Sequence, residues 1–264
     1  MKRVALALAL STALASPAFA VPFVNGGFES GDFTGWDVSN AAYRAGVNNA
    51  GLTPGYVYAN DIYPLHSAIV NTAYVDPNVG AALGSTVYSG NHAMRVEDTT
   101  TGGYASAITQ RVNGYTDTDI FFTWKAVLLG AHGVTDAATM KLVLRDETTG
   151  LDLITRTYNA ASTGSGVDAR FSLLNSNYYT AQWQVEQLTI GADLLGHDFS
   201  LSVLAADCQP TGHWGYVYLD GFGAQIPDEE EPTEGPTEVP EPGVLGLMGL
   251  ALMGFAGFRR RKNV

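Results

Sequence analysis

Phe121-Phe122-Thr123-Trp124-Lys125-Ala126-Val127-Leu128-Leu129 is rich in aromatic and β-branched side chains and shows no helical spacing of its apolar positions. Such a run packs well as an extended strand, where bulky side chains stand clear of the backbone. The same composition returns on both sides of it. Met140 to Arg145, Leu151 to Tyr158, Trp183 to Ile190, Phe199 to Ala205 and Trp214 to Phe222 all read as strands, with Gly, Asn, Asp and Thr between them. Several strands of this length in a chain with 30 glycines predict an all-β fold, a single sandwich over residues 21–226. Two stretches depart from the pattern. Gly46 to Gly84 carries Asn, Pro and tyrosines, and Asn159 to Ser176 is rich in Ser, Gly and Asn; both read as long loops, which in a compact domain are usually functional or mobile.

The ends of the chain have a different composition. Met1 to Ala20 has Lys2 and Arg3, then an apolar stretch from Val4, then Ala18-Phe19-Ala20, which predicts a secretory signal cut between Ala20 and Val21. Pro227 to Pro242 holds five prolines and seven acidic residues, too little apolar surface to offset the entropy of ordering, so it reads as an extended, disordered tether. Gly243 to Phe258 is an apolar run without a charge, about 24 Å long as a helix and thus a membrane-inserted segment in a thinned bilayer. Arg259, Arg260, Arg261 and Lys262 in the closing segment, residues 259–264, place its end on the cytoplasmic side and the body outside.

Val239-Pro240-Glu241-Pro242, the apolar run and the Arg259-Arg260-Arg261 triplet together resemble the PEP-CTERM sorting signal of bacterial surface proteins. The resemblance implies that an exosortase-type enzyme recognises the tail and cuts near the Pro-Glu-Pro motif. It also implies inner-membrane anchoring through the C-terminus until that cut, and a destination on the cell surface or in an extracellular polysaccharide matrix. The alternative is a plain single-span anchor preceded by a linker.

Six of the 14 basic residues lie in the two end segments, which leaves eight against 26 acidic residues over 21–242, a formal −18. A body that acidic does not find nucleic acid or anionic lipid through charge; neutral polymers, divalent cations and basic proteins are its electrostatic partners. Cys208 is the single cysteine, so no intrachain disulfide and no cysteine zinc site is available, and a small buried hydrophobe is its simplest role.

Asn25-Gly26-Gly27-Phe28-Glu29-Ser30-Gly31 with Phe33-Thr34-Gly35-Trp36 is similar to the first strands of galactose-binding-like and carbohydrate-binding jelly rolls. Ser89 to Val96 resembles their early strand, and Gly215-Tyr216-Val217-Tyr218-Leu219-Asp220-Gly221-Phe222 their last. The resemblance implies a jelly-roll sandwich. It also implies a structural calcium where the first and last strands meet, with Glu29 and Asp220 as the carboxylate donors and backbone carbonyls near Asn25 and Gly27 as further oxygens. The alternative reading is two solvated turn acids.

Along the last of these strands Trp214, Tyr216 and Tyr218 fall on one face and Gly215, Val217 and Leu219 on the other. Either the rings form a stripe for stacking on sugars or they fill the core, because one sequence does not fix the register. Tyr56, Tyr58 and Tyr63 in the early loop and the pair Tyr178-Tyr179 carry the same two readings.

For catalysis there is no Gly-x-Ser-x-Gly elbow, no His-Glu-x-x-His and no phosphate loop, and the five histidines show no metal-ligand spacing. Asp207 and His213 flank a Gln-Pro-Thr-Gly turn and read as a turn pair. The sequence thus predicts a non-catalytic, carbohydrate-binding surface protein. A structural surface protein without a glycan ligand, or a polysaccharide hydrolase or lyase, is the alternative.

Overall fold

The computed structural model describes residues 23–130, 133–161 and 166–226. The expectations at Ala20, Val21, Val239 to Pro242 and Arg259 to Arg261, and the apolar run 243–258, lie outside them. Among the described residues two antiparallel sheets face each other. The first orders β1 (Asp37–Val38), β5 (Tyr104–Val112), β12 (Phe199–Ala206), β7 (Thr139–Asp146) and β8 (Leu151–Asn159), with β2 (Ala42–Tyr43) also on β5. The second orders β3 (Ala68–Asn71), β4 (His92–Val96), β13 (Gly215–Gly223), β6 (Asp119–Leu129), β10 (Asn177–Tyr179) and β9 (Ser172–Leu174), with β11 (Gln184–Thr189) also on β6. Alongside the consecutive pairs β3–β4, β7–β8 and β9–β10, the central pairings β5–β12, β12–β7, β4–β13 and β13–β6 join strands distant in sequence, as in a jelly roll.

The six strand-like runs of the sequence all appear within two residues of their expected ends. Period-two alternation fixes which side of each strand is buried. From β12, Phe199, Leu201, Val203 and Ala205 meet Phe122, Trp124, Ala126 and Leu128 of β6 in the space between the sheets. Val217 and Leu219 of β13 lie in that same core, so Tyr216 and Tyr218 face away from it.

Two expectations are corrected. Asn25 to Trp36 forms a series of turns, not strands; its Phe28 and Trp36 stack at 5.0 Å and close one end of the core beside Phe222. The early loop 46–84 holds β3, a 3-10 turn at Gly80–Leu83 and a short helix, α1 (Pro54–Ala59). That helix starts where Thr53 caps it, accepting the Tyr56 N–H on its hydroxyl at 3.0 Å, and Pro54 presets the first turn.

This stretch determines which sheet face is open. Residues of the 72–90 segment, Val79, Leu83, Val87 and Tyr88, cover the outer face of the second sheet over Tyr216, Tyr218, Val127 and Trp183. On the first sheet α1 covers only half of the outer face: Leu52 and Val57 pack on Ala105, Ala107, Leu204 and Ala206. Among the described residues the other half has no such cover.

Candidate functional site

The uncovered half of the first sheet forms a groove of about 700 Å³. Strand register sets its floor. One row across the sheet runs Asp37, Thr109, Ser202, Val143, Thr155, and the next runs Arg111, Ser200, Arg145, Asp152. Leu52 to Gly55 and Tyr58 form its wall on the helix side. β12 changes chemistry along this outer face, from Leu204 and Ala206 beneath α1 to Ser200 and Ser202 in the groove.

The polar groups of the floor hold one another in place. Arg145 Nη1 donates to Asp152 Oδ1 at 2.6 Å, Arg111 meets Glu147 at 3.2 Å, and the Ser200 hydroxyl donates to Glu147 at 2.6 Å. Thr109 and Ser202 share a hydroxyl–hydroxyl bond of 2.9 Å. Lys141 Nζ donates to the Leu52 carbonyl at 2.6 Å, and burial together with Arg44 lowers its pKa. Tyr58 donates its hydroxyl to the Asp37 carbonyl at 2.9 Å, and burial pushes that phenol up to about 12, so it remains a neutral donor. Hydroxyls, carboxylates and planar guanidinium groups in a shallow trough provide directional donors and acceptors for a hydroxyl-rich chain, with the Tyr58 ring as an apolar wall.

Of the aromatic residues read as candidate ligand contacts, Tyr58 lines this groove. Tyr56 fixes α1 instead, donating to the Tyr43 carbonyl at 2.9 Å. The stripe on β13 is corrected: Tyr216 and Tyr218 are fully buried, and both donate to Asp76, each at 2.8 Å to Oδ2. Trp214 is partly buried beside them and donates to Asn177 Oδ1 at 2.8 Å. A ring enclosed on both faces has no surface left for a sugar. Tyr178 packs on the central core and Tyr179 on the outer cluster.

Glu29 and Asp220 do come together. A Cβ built on Gly27 would lie 3.5 Å from Asp220 Oδ1 and 3.8 Å from Glu29 Cγ, so the two side chains flank this glycine. Glu29 accepts the His92 N–H at 2.9 Å and the Asn91 N–H at 3.0 Å; Asp220 accepts the N–H groups of Tyr88, Ser89 and Gly221 at 2.8, 3.2 and 2.7 Å. Asp220 is fully buried, and burial, with a smaller contribution from Glu29, pushes its pKa up to about 7. The Asn25 carbonyl is corrected as a metal donor, because it already accepts the Phe28 N–H and the Trp36 ring N–H, both at 3.1 Å. The Gly27 carbonyl accepts no hydrogen bond among the described residues.

Asp207 and His213 have separate partners. Asp207 accepts the N–H groups of Gly103, Tyr104 and Gly215, and its pKa is pushed up to about 8 by burial and then by Glu97. His213 Nδ1 meets Cys208 Sγ at 3.2 Å, and that thiol is free and buried.

Apart from Tyr58, the groove residues were not among the sequence candidates, although a signal was present. Lys141, Val143 and Arg145 alternate with Met140, Leu142 and Leu144, and Ser200 and Ser202 alternate with Phe199, Leu201 and Val203. This is the period-two mark of a sheet with one wet face.

Residues 238–262 match the PEP-CTERM protein-sorting motif. The chain therefore carries this motif at its C-terminus. No curated protein matches the chain. Among solved structures, TmCBM61 in complex with beta-1,4-galactotriose is similar at 11% identity over 76% of this chain and 96% of that one, with a TM-score of 0.38. CBM27-1 of Caldicellulosiruptor saccharolyticus in complex with mannohexaose is similar at 11% identity over 79% and 98%, with a TM-score of 0.36. The Stig cyclase Fisc from Fischerella sp. TAU is similar at 15% identity over 77% and 96%, with a TM-score of 0.35. These are likenesses, and neither ligand nor activity passes from them to this chain.

Proposed function

We propose that this protein is exported, processed at its C-terminal sorting motif by an exosortase-type enzyme, and binds a segment of extracellular polysaccharide without cleaving it. The groove on the first sheet is its binding site. The observation that carries this reading is the change of the outer face from small apolar residues under α1 to hydroxyl, carboxylate and guanidinium groups where the sheet is open. Thr109, Ser202 and Thr155 stand in one row of the floor with Ser200 in the next, and sugar hydroxyls pair with such groups.

The test is binding of the exported chain to a glycan array, alongside Ser202→Trp, which fills the groove, and Tyr58→Ala, which removes its wall. Saturable binding to one sugar class that falls at least about tenfold in Ser202→Trp supports the reading, a loss of about 1.4 kcal/mol. Ser202→Trp falls on the groove floor and should leave the melting temperature nearly unchanged. Tyr58→Ala also removes a ring packed on the Leu52–Ala105–Leu204 cluster and its bond to the Asp37 carbonyl and should lower it by a few degrees, so Ser202→Trp carries the test. An empty array from folded protein favours a structural surface protein with no glycan ligand. For the processing step, the intact mass of material from the native host is expected to lack Arg259 to Arg261; a full-length C-terminus is the contrary result.

A structural calcium at Glu29 and Asp220 belongs to the same proposal. The donors suit a hard cation: the Asp220 carboxylate and the Glu29 side chain flank Gly27, whose carbonyl accepts no hydrogen bond among the described residues. The one ring nitrogen near either acid among those residues, His92 Nδ1, stands 4.0 Å from Glu29 Oε2. Bound there, calcium would tie the opening turns to the last strand.

Its signature is a pH dependence. Asp220 at about 7 and Asp207 at about 8 hold their protons far above the carboxylate range in the fold. The folded chain therefore binds more protons than the unfolded one, so their contribution to stability is full below about pH 4 and is lost as pH rises through 7 and 8. In chelator the melting temperature is expected to fall between pH 5 and pH 8. Calcium favours the charged form of Asp220, so it should raise the melting temperature more at pH 8 than at pH 5. Metal-stripped protein that melts identically with and without calcium at pH 8 removes calcium from this site.

A further inference from the structure

A second cluster of ligand-type side chains lies away from both the groove and the Glu29–Asp220 pair. His66 stands just before β3, and Glu97 and Asp98 follow β4 directly. Consecutive residues of an extended chain send their side chains to opposite sides. Here Glu97 has φ +68, and the turn it makes brings both carboxylates round to the same imidazole. Asp98 Oδ2 lies 3.4 Å from His66 Nδ1, and Glu97 Oε1 contacts that nitrogen directly. One ligand atom from each residue falls within 4.8 Å of the other two.

Each group is held so that a single atom remains turned inward. Thr100 donates its N–H and its hydroxyl to Asp98 Oδ1 at 2.7 and 2.8 Å, leaving Oδ2 toward His66. Ser106 donates to Glu97 Oε2 at 2.8 Å, and Oε1, which faces His66, also accepts the Asp98 N–H at 3.1 Å. Arg95 ties the two backbones together, donating to the Glu97 carbonyl at 2.9 Å and to the His66 carbonyl at 3.1 Å. The Tyr104 ring packs edge-on against the imidazole, centroid to centroid 4.9 Å, and sets its plane. Glu97 is fully buried, whereas the His66 side chain is 15% exposed and that of Asp98 27%, so one side of the cluster faces solvent.

We infer that His66, Glu97 and Asp98 form a site for one transition-series dication of the zinc type. Two anionic oxygens and an imidazole nitrogen make up a borderline donor set, which suits zinc and its neighbours, whereas calcium takes an all-oxygen shell of six to eight ligands. The spacing agrees: ligand atoms about 2.0–2.1 Å from a tetrahedral zinc lie about 3.3 Å apart, close to the His66–Asp98 separation. The His66–Glu97 contact is closer than that. On binding, the hydrogen bond between them is exchanged for two metal bonds; the Nδ1 proton leaves the imidazolium to solvent, or in the neutral ring the remaining proton sits on Nε2, so affinity falls as pH falls and the imidazole is protonated. The solvent-facing side supplies the fourth position for water. Local charge supports the same end, because Glu97 and Asp98 both raise the neighbouring Asp207, marking negative charge that a cation would neutralise. Unlike calcium at the other site, this ion would tie the β4–β5 turn to the segment before β3.

The experiment is equilibrium dialysis of the full chain, stripped of metal, against Zn²⁺, Mn²⁺ and Ca²⁺ separately at pH 7.5, with bound metal counted per chain. His66→Ala, Asp98→Asn and, as a control at the other site, Glu29→Gln are run in parallel, with far-ultraviolet circular dichroism as the check on folding. The expected result is one equivalent of zinc in the parent chain and in Glu29→Gln. Affinity should be at least about 100-fold weaker in His66→Ala, and calcium should not displace the zinc. Parent protein that takes up no stoichiometric zinc, zinc held with equal affinity after loss of His66, or calcium competing on equal terms overturns the assignment. If His66→Ala does not fold, Asp98→Asn decides alone by the same criterion.

Discussion

Gly26→Ala is expected to unseat the opening turns of the domain and lower its melting temperature by about 8–16 °C, the equivalent of roughly 4 kcal/mol in a domain of this size. A Cβ at this position would lie 1.7 Å from the Phe222 carbonyl oxygen and 2.7 Å from its carbonyl carbon, and both are backbone atoms of the last strand. No side chain can swing aside to relieve that overlap, so the strand and the turn must separate. With them goes the hydrogen bond from the Phe222 N–H to the Gly26 carbonyl, 3.0 Å. The closure of the core by Phe28 and Trp36 is lost as well. The neighbouring substitution is the control. Gly27→Ala would place its methyl 3.5 Å from Asp220 Oδ1, an ordinary contact, and should cost about 1 kcal/mol or less. Thermal melts of the two variants side by side check the argument, and similar losses at both positions would show that the close approach at Gly26 is not what holds the turn.

The second large effect is expected at Asp76, which sits far from the groove. Asp76 accepts the hydroxyls of Tyr216 and Tyr218 and the N–H groups of Asn78 and Val79, the last at 2.7 Å, and is itself only 2% exposed. Burial and this acid both raise the two phenols, so they remain donors throughout the physiological range. Asp76→Ala leaves two enclosed hydroxyls and two amide groups without their acceptor. At about 1–3 kcal/mol for each unsatisfied group, and with water entering to satisfy some of them, the loss is about 3–5 kcal/mol. Asp76→Asn retains one acceptor oxygen and should lose about half as much. Urea denaturation followed by tyrosine fluorescence measures both, and equal stability of Asp76→Ala and the parent would refute the account of Tyr216 and Tyr218 as hydrogen-bonded core.

These two predictions separate what the local sequence revealed from what it hid. The opening Asn25-Gly26-Gly27-Phe28-Glu29 was read through resemblance as part of a first strand and forms turns instead; that Gly26 touches Phe222 depends on a contact across 196 positions of chain. The strands themselves were legible because aromatic and β-branched runs have few other uses. Among the long strands β5 was the exception: Tyr104–Val112 carries Ala, Ser and Gln where strands usually carry bulk, because Ala105 and Ala107 must fit beneath α1. The tyrosines of β13 could be placed together on one face by period two alone. Whether that face was open depended on a covering segment more than a hundred residues away.

The sequence by itself determined the architecture and the address. Alternating apolar strands punctuated by glycine require a two-sheet sandwich, since each strand has one face to bury, and the C-terminal sorting motif is readable as a linear pattern because it is recognised as one. Only the tertiary structure decided which sheet face stays open. Each sheet has an outer face, and the chain covers one with the 72–90 segment and half of the other with a six-residue helix. Which surface remains wet follows from where those connections pack, a long-range outcome of burial that no local pattern encodes.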